Sequence, residues 1–231
     1  MFAAAIPKST PWWHNLAFNW FDIALVLVLA FGFWRGRKRG MTKELLPTIQ
    51  WLTILLAAGL GHVYLADWLQ QMGVVKQVFG NHFNERTAAR MSSYLAIMMI
   101  LLIVFSSMKA KFTAKLEGSN FFGSNEYYWG VVAGLVRYLC LLLVALALLN
   151  APYYTPGDIA AIKAYKLNNY AGGGGVKGME GDTGEFIPSV YEVQDGVFKH
   201  SFTGAFIKEN LYMLLIISQP ADPKSHREYH N

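Results

Sequence analysis

The chain has 231 residues, of which 54% are hydrophobic and only 15% charged, against about 25% charged in an ordinary globular domain. That excludes a wholly soluble, charge-coated chain, while a mean hydropathy of +0.26 is too low for one immersed in a bilayer throughout. The net charge of +5 would point to an anionic partner only if it covered one soluble surface, and its distribution along the chain shows otherwise.

Residues 1–14 form a short N-terminal segment, and the first apolar run follows at 15–34, "NLAFNWFDIALVLVLAFGFW". It has the length of about 20 residues that a spanning helix needs, and its one charge, Asp22, lies near the start. A cleaved signal peptide carries its positive charge before the apolar stretch; here only Lys8 precedes it and "RGRKRG" follows, so the segment reads as an anchor. A second run, 45–66, is diluted by Pro47, Gln50 and His62. A third, 90–108, is apolar from Tyr94 to Phe105, and a fourth, 127–150, is long enough to span but carries Arg137. Stretches such as "YLAIMMILLIVF" lack the polar face that a soluble bundle helix shows every 3.6 residues. Trp12, Trp13, Trp20, Trp34, Tyr127, Tyr128, Trp129, Tyr153 and Tyr154 sit at or near the ends of the first and fourth runs, where amphipathic rings settle at headgroup depth. The expected fold class is an all-α membrane protein, a bundle of four transmembrane helices over 15–150 followed by an extramembrane C-terminal tail.

Basic residues in short loops stay on the cytoplasmic side. Arg35, Arg37, Lys38, Arg39 and Lys43 crowd the connection between the first two runs, and Lys109, Lys111 and Lys115 follow the third. Against these eight, the opposite side holds Lys8, Lys76, Arg86 and Arg90. The expected topology has both termini in the periplasm, and the basic block as a topology determinant that touches lipid headgroups at about 1 kcal/mol per residue. No nucleic-acid partner is expected.

The tail, 151–231, holds seven basic and nine acidic residues, so the positive charge belongs to the membrane part. It opens on a glycine-rich linker, "YAGGGGVKGMEGDTGE", with no GK[ST] to make it a phosphate loop. Over 191–198, Tyr191 and Val193 alternate with Glu192 and Gln194, and Asp195-Gly196 is a turn signal. The pattern favours a short hairpin over an amphipathic helix on the outer leaflet. "LYMLLI", 211–216, is too short to span, and the last residues read as disordered.

No catalytic constellation, metal set or cofactor motif emerges, and an enzyme is not expected. His226 and His230 are the one pair at ligand spacing and fall in the tail end. Ser92, Ser93, Ser106 and Ser107 lack a nucleophile context, and the lone Cys140 reads as a packing residue. The intramembrane charges Asp22 and Arg137 are the functional candidates, since a charge in the bilayer costs about 2.5–3.5 kcal/mol on insertion scales. Arg137 has three readings: it snorkels to the cytoplasmic headgroups, it pairs with Asp22 or backbone carbonyls, or it lines a solute or proton path. Gly130 and Gly134 form a small-xxx-small pattern suited to close helix packing.

The order of these features resembles the colicin V production protein family. Trp20 and Asp22 match its aromatic-x-aspartate pattern, Arg35-Gly36 and Arg39-Gly40 its basic turn, Glu44 the acid opening its second helix, and Gly130, Gly134 and Arg137 the run opening its fourth. The resemblance covers about 17–150 and departs at Tyr138, where the family usually has glycine. It implies a non-catalytic, four-helix inner-membrane protein linked to colicin V production or export and to envelope homeostasis. A related membrane domain anchors a periplasmic serine protease, but no catalytic residue carries over to this chain. The expected partners are the lipid bilayer and other membrane or periplasmic proteins or a second copy. Two alternatives stand beside this: a small transporter or channel subunit with a polar path near Asp22 and Arg137, or a membrane scaffold for a periplasmic enzyme.

Overall fold

The computed structural model describes residues 19–73, 85–117, 123–154, 156–171 and 189–216. The N-terminal segment, the glycine-rich linker and the end of the tail with His226 and His230 lie outside the described residues. The helices are α1 (Trp20–Gln71), α2 (Glu85–Glu117), α3 (Glu126–Leu149), α4 (Pro156–Ala171), α5 (Val190–Phe198) and α6 (Phe202–Asn210), with 3-10 turns at Gly123–Asn125 and Tyr212–Leu214. Among the described residues there is no strand. The fold is all-α, and α1, α2 and α3 are long and apolar enough to cross a membrane.

Helix α1 is not one rod. Gly40 has φ 74° and ψ 167°, outside the helical region and inside the zone that glycine tolerates without steric cost. The chain reverses there. Gly32 faces the Gly134 carbonyl of α3, while Thr48 Oγ1 lies 3.0 Å from the adjacent Ala133 carbonyl. A straight helix would hold positions 32 and 48 about 24 Å apart; meeting neighbouring residues of α3, they must lie on two arms folded against each other. The first arm, 20–39, runs antiparallel to α3, with Gly32 at Gly134, Gly36 at Gly130 and Gly40 at Glu126. The second arm, 41–71, runs back along α3 and then pairs with α2, where Gly61 meets Ile97 and the His62 ring lies 6.0 Å from that of Tyr94.

Two expectations are corrected here. The basic block was expected in a connecting loop, but Arg35, Arg37, Lys38 and Arg39 continue the helix as far as Gly40. Lys and Arg are good helix formers, and their long stems carry the charge away from the apolar face. The expected hairpin over 191–198 is α5 instead, because Ser189 and Glu192 make a capping box. The Ser189 N–H donates to Glu192 Oε2 at 3.0 Å, and the Glu192 N–H to Ser189 Oγ at 3.4 Å. The fourth run is placed closely by the sequence, with α3 at Glu126–Leu149.

The crossing of the first arm with α3 has almost no side chains between the backbones. A Cβ on Gly130 would lie 2.7 Å from both the Gly36 carbonyl oxygen and the Gly40 carbonyl carbon. A Cβ on Gly36 would land on the Gly130 carbonyl oxygen, and one on Gly134 on the Gly32 carbonyl. Gly130 and Gly134 therefore pack within the chain, against the spacing Gly32, Gly36, Gly40. Tyr138, the departure from the family pattern, fits because Gly32 leaves room: Tyr138 Cδ2 lies 3.1 Å from where a Gly32 Cβ would be.

The core extends beyond these helices. Ile54, Leu55, Ala58, Tyr94, Cys140, Leu143, Val144 and Ala147 share one buried cluster with Val197, Phe198, Ile207, Leu215 and Ile216 of the tail. Cys140 is a buried packing residue, as the sequence implies.

We expect Gly36→Ala to lower stability by about 1–3 kcal/mol through overpacking, read as a lower unfolding midpoint in detergent. Gly61→Ala, whose Cβ would meet only the flexible Ile97 Cδ1 at 3.4 Å, should leave the midpoint nearly unchanged. Equal midpoints for the two variants would contradict the backbone-contact account.

Candidate functional site: two buried carboxylates

The two buried carboxylates of the bundle lie at two points, one near each end. Near the Gly40 end, Glu44 is fully buried. Its Oε2 accepts from Arg137 Nη1 at 2.8 Å and its Oε1 from Arg39 Nη1 at 3.4 Å. Arg137 is 18% exposed and Arg39 43%, so the carboxylate sits between one interior and one peripheral cation. Thr48 Oγ1 donates to the Glu44 carbonyl at 2.7 Å and also lies 3.0 Å from the Ala133 carbonyl, one turn before Arg137.

Local structure explains this geometry. Side chains lean toward a helix N-terminus, which for α3 is the Gly40 end, so Arg137 reaches back toward Glu44 in the first turn of the second arm. The guanidinium ends on a buried carboxylate. Its Cζ also lies 5.6 Å from the Tyr138 ring centre. The alternative in which Arg137 pairs with Asp22 does not occur. Glu44 holds Arg137 instead, because the fold-back at Gly40 brings the start of the second arm against α3.

Asp22 belongs to the other end, where it caps two helices at once. One oxygen accepts from the Asn19 N–H at 3.1 Å, closing the capping box of α1. The other accepts from Ser201 Oγ and from the Thr203 N–H, both at 3.0 Å. Ser201 is the N-cap of α6, and its Oγ accepts from the Gly204 N–H at 3.0 Å. Asp22 thus places a negative charge at two positive helix ends and pins the tail to α1. Three more bonds hold the tail there: Asn19 Nδ2 to the Gly196 carbonyl at 3.0 Å, Gln194 Nε2 to the Pro152 carbonyl at 3.3 Å, and Asn150 Nδ2 to the Ile216 carbonyl at 3.0 Å. On the tail's surface the Asp195 carboxylate, 2.6 Å from Lys199 Nζ, holds that ammonium's pKa above its ordinary value.

The remaining candidates are placed as follows. Arg37 and Lys38 are exposed and Arg35 is half-buried, with Lys38 Nζ 5.5 Å from the Trp34 ring centre. Lys43 is also exposed. Gly36 and Gly40 line the crossing itself. His62, read from the sequence only as a diluting polar residue, is buried, its Nδ1 lying 2.8 Å from the Gly59 carbonyl and 3.0 Å from that of Ala58. Ser92 and Ser93 donate to the Ala89 carbonyl, and Ser107 to that of Ile103. Sequence reasoning missed the role of Ser201, although Ser201 followed by a helical run is an N-cap signal. Among the described residues no group of three or more His, Cys, Asp or Glu could hold a metal ion.

A fold-back helix, two further apolar helices and internally paired carboxylates define the class as a helical membrane-type bundle. The chain belongs to the colicin V production protein family, whose model matches residues 21–163. No curated protein and no solved structure matches it.

Removing one partner of a buried ion pair strands the other charge, at about 3–5 kcal/mol. Arg137→Ala should therefore destabilise the bundle strongly, while Glu44→Gln combined with Arg137→Met should be milder than Arg137→Ala alone. Unfolding midpoints of the variants in detergent check this; additive losses would argue against coupling. Asp22→Ala removes caps worth about 1 kcal/mol each and should raise hydrogen exchange over 189–216 while leaving α3 protected. Unchanged exchange in the tail would count against the pin.

Proposed function

We propose that this is a non-catalytic, four-crossing inner-membrane protein that supports colicin V-type toxin production or export, or envelope homeostasis, through helix contacts and its outer tail. The two arms of α1, α2 and α3 supply the four crossings, with the Gly40 end cytoplasmic and the Asn19 end periplasmic. The first arm rises about 30 Å over its 20 residues, the thickness of a hydrocarbon core, and the basic cluster sits at the Gly40 end where the positive-inside rule puts it. The observation that carries the reading is how the intramembrane charges are held. Arg137 pairs with Glu44, and Asp22 bonds Ser201 and Thr203, so each supports the packing of this chain. The transporter reading needs Asp22 and Arg137 on one path; bonded to different partners near opposite ends, they favour a scaffold that presents a fixed outer surface to membrane or periplasmic proteins.

Reporters active on only one side of the membrane, fused after Lys43, Glu117 and Asn231, test the crossings. We expect Lys43 and Glu117 in the cytoplasm and Asn231 in the periplasm. A cytoplasmic Asn231 would remove the four-crossing topology and the periplasmic tail with it.

A further inference from the structure

We infer that residues 189–216 form a cap lying in the outer leaflet at the boundary between headgroups and acyl chains, with Phe202, Phe206, Tyr212 and Met213 turned into lipid. The inference rests on the proposed membrane orientation and adds the depth and partner of the tail.

Helix lengths set the frame. The first arm begins at Trp20 and α3 ends at Leu149, so this pair stops at one level above the Gly40 end. The second arm reaches that level near Gly59, about 28 Å from Gly40, and then continues about 18 Å further to Gln71. Its partner α2 shows the same boundary. Tyr94, where the α2 apolar run starts, meets His62 edge to face, whereas Ala88 and Ala89 pack with Ala66 further out. A step results: two helices end at the outer boundary, while two project beyond it.

The cap fills that step, and its contacts fix its depth. Gly196 lies beside the Trp20 indole and is bonded to Asn19; Ser201 and Thr203 hold Asp22; Leu214 packs on Gly59; Ile216 is tied to Asn150. All five partners, Asn19, Trp20, Asp22, Gly59 and Asn150, lie at the level where the first arm and α3 end. Toward the bundle the cap buries Val197, Phe198, Ile207, Leu215 and Ile216.

Its outward face is also apolar. Phe202 and Phe206, one turn apart on α6, are 48% and 47% exposed, and Tyr212 and Met213 are 51% and 62% exposed. Four large apolar side chains within twelve residues have no place in water at a tethered surface. Trp20, Ile23, Val26 and Leu27 of the first arm are likewise exposed, a face that a bilayer must cover. Aromatic rings at this depth follow the interfacial preference of Tyr and Trp, while on α6 the exposed Lys208 lies on a different side from Phe202 and Phe206, and Glu209, three residues after Phe206, shares their side as a charged group at the headgroup boundary can. Outer-leaflet lipid is the partner that this surface fits.

Spin labels on single cysteines, in the full chain carrying Cys140→Ala and reconstituted into lipid nanodiscs, test this depth. Oxygen concentrates in the acyl region and a nickel chelate in water, so their relative collision rates report immersion. Labels at Phe206→Cys and Met213→Cys should favour oxygen, as should Ile103→Cys on the 62%-exposed lipid face of α2. Oxygen preference at position 103 with chelate preference at both 206 and 213 overturns the embedded cap and leaves the membrane reading intact. Chelate preference at position 103 overturns the membrane reading itself. Shielding from both reagents at 206 and 213 overturns lipid as the partner, in favour of a second copy of the chain.

Discussion

The close crossing of the first arm of α1 with α3 is the constraint on which the other contacts depend. Helices in lipid gain little from hydrophobic burial against one another, because the acyl chains are as apolar as leucine. Association then relies on dispersion between backbones in contact and on hydrogen bonds made where water is absent. Gly32, Gly36 and Gly40 repeat at the helical spacing that meets Gly130 and Gly134, and each removes the Cβ that would hold the axes apart. Gly40 contributes a second time by its left-handed φ, which lets the chain leave one arm and start the next without a long loop. Glu126 leans against that turn and places a carboxylate at the N-terminus of α3.

The ion pair follows from that geometry. Once the second arm is folded against α3, Glu44 in its first turn lies within reach of Arg137, which leans toward the same end. Neither charge is tolerable alone in a dry interior, and each offsets the other, while Thr48 bonds the Glu44 backbone carbonyl beside them. Such a pair adds little net stability relative to apolar residues of the same size, but it penalises any register in which the two do not meet. Arg39 on the first arm and Arg137 on α3 share one carboxylate from the second arm, so three helical segments are tied at a single point.

The tail is held by a different device. Its apolar residues complete the core, while Asp22 supplies the directional bonds by capping α6 and α1 together. A single carboxylate thereby couples the entry of the first arm to the position of a segment nearly 180 residues later. The Asn19 end of the bundle and the tail are thereby held together as one unit.

The sequence by itself determined the apolar helices, their approximate positions, the clustering of the basic residues and the family. These are properties of runs of residues, and length, hydropathy and charge order report them directly. It also singled out Asp22, Arg137, Gly130 and Gly134 as unusual in an apolar setting, because an expensive residue is visible wherever it occurs. What those residues bond was decided only by the tertiary structure. Glu44 looked like part of a cytoplasmic turn until the reversal at Gly40 brought it inside, and no local pattern states which arginine it will meet. Nor did the alternation at Tyr191–Gln194 reveal a helix, although the Ser189–Glu192 capping box was present in the letters. Two short-range signals competed there, and the tie was broken by burial of Val197 and Phe198 against a core assembled from distant helices.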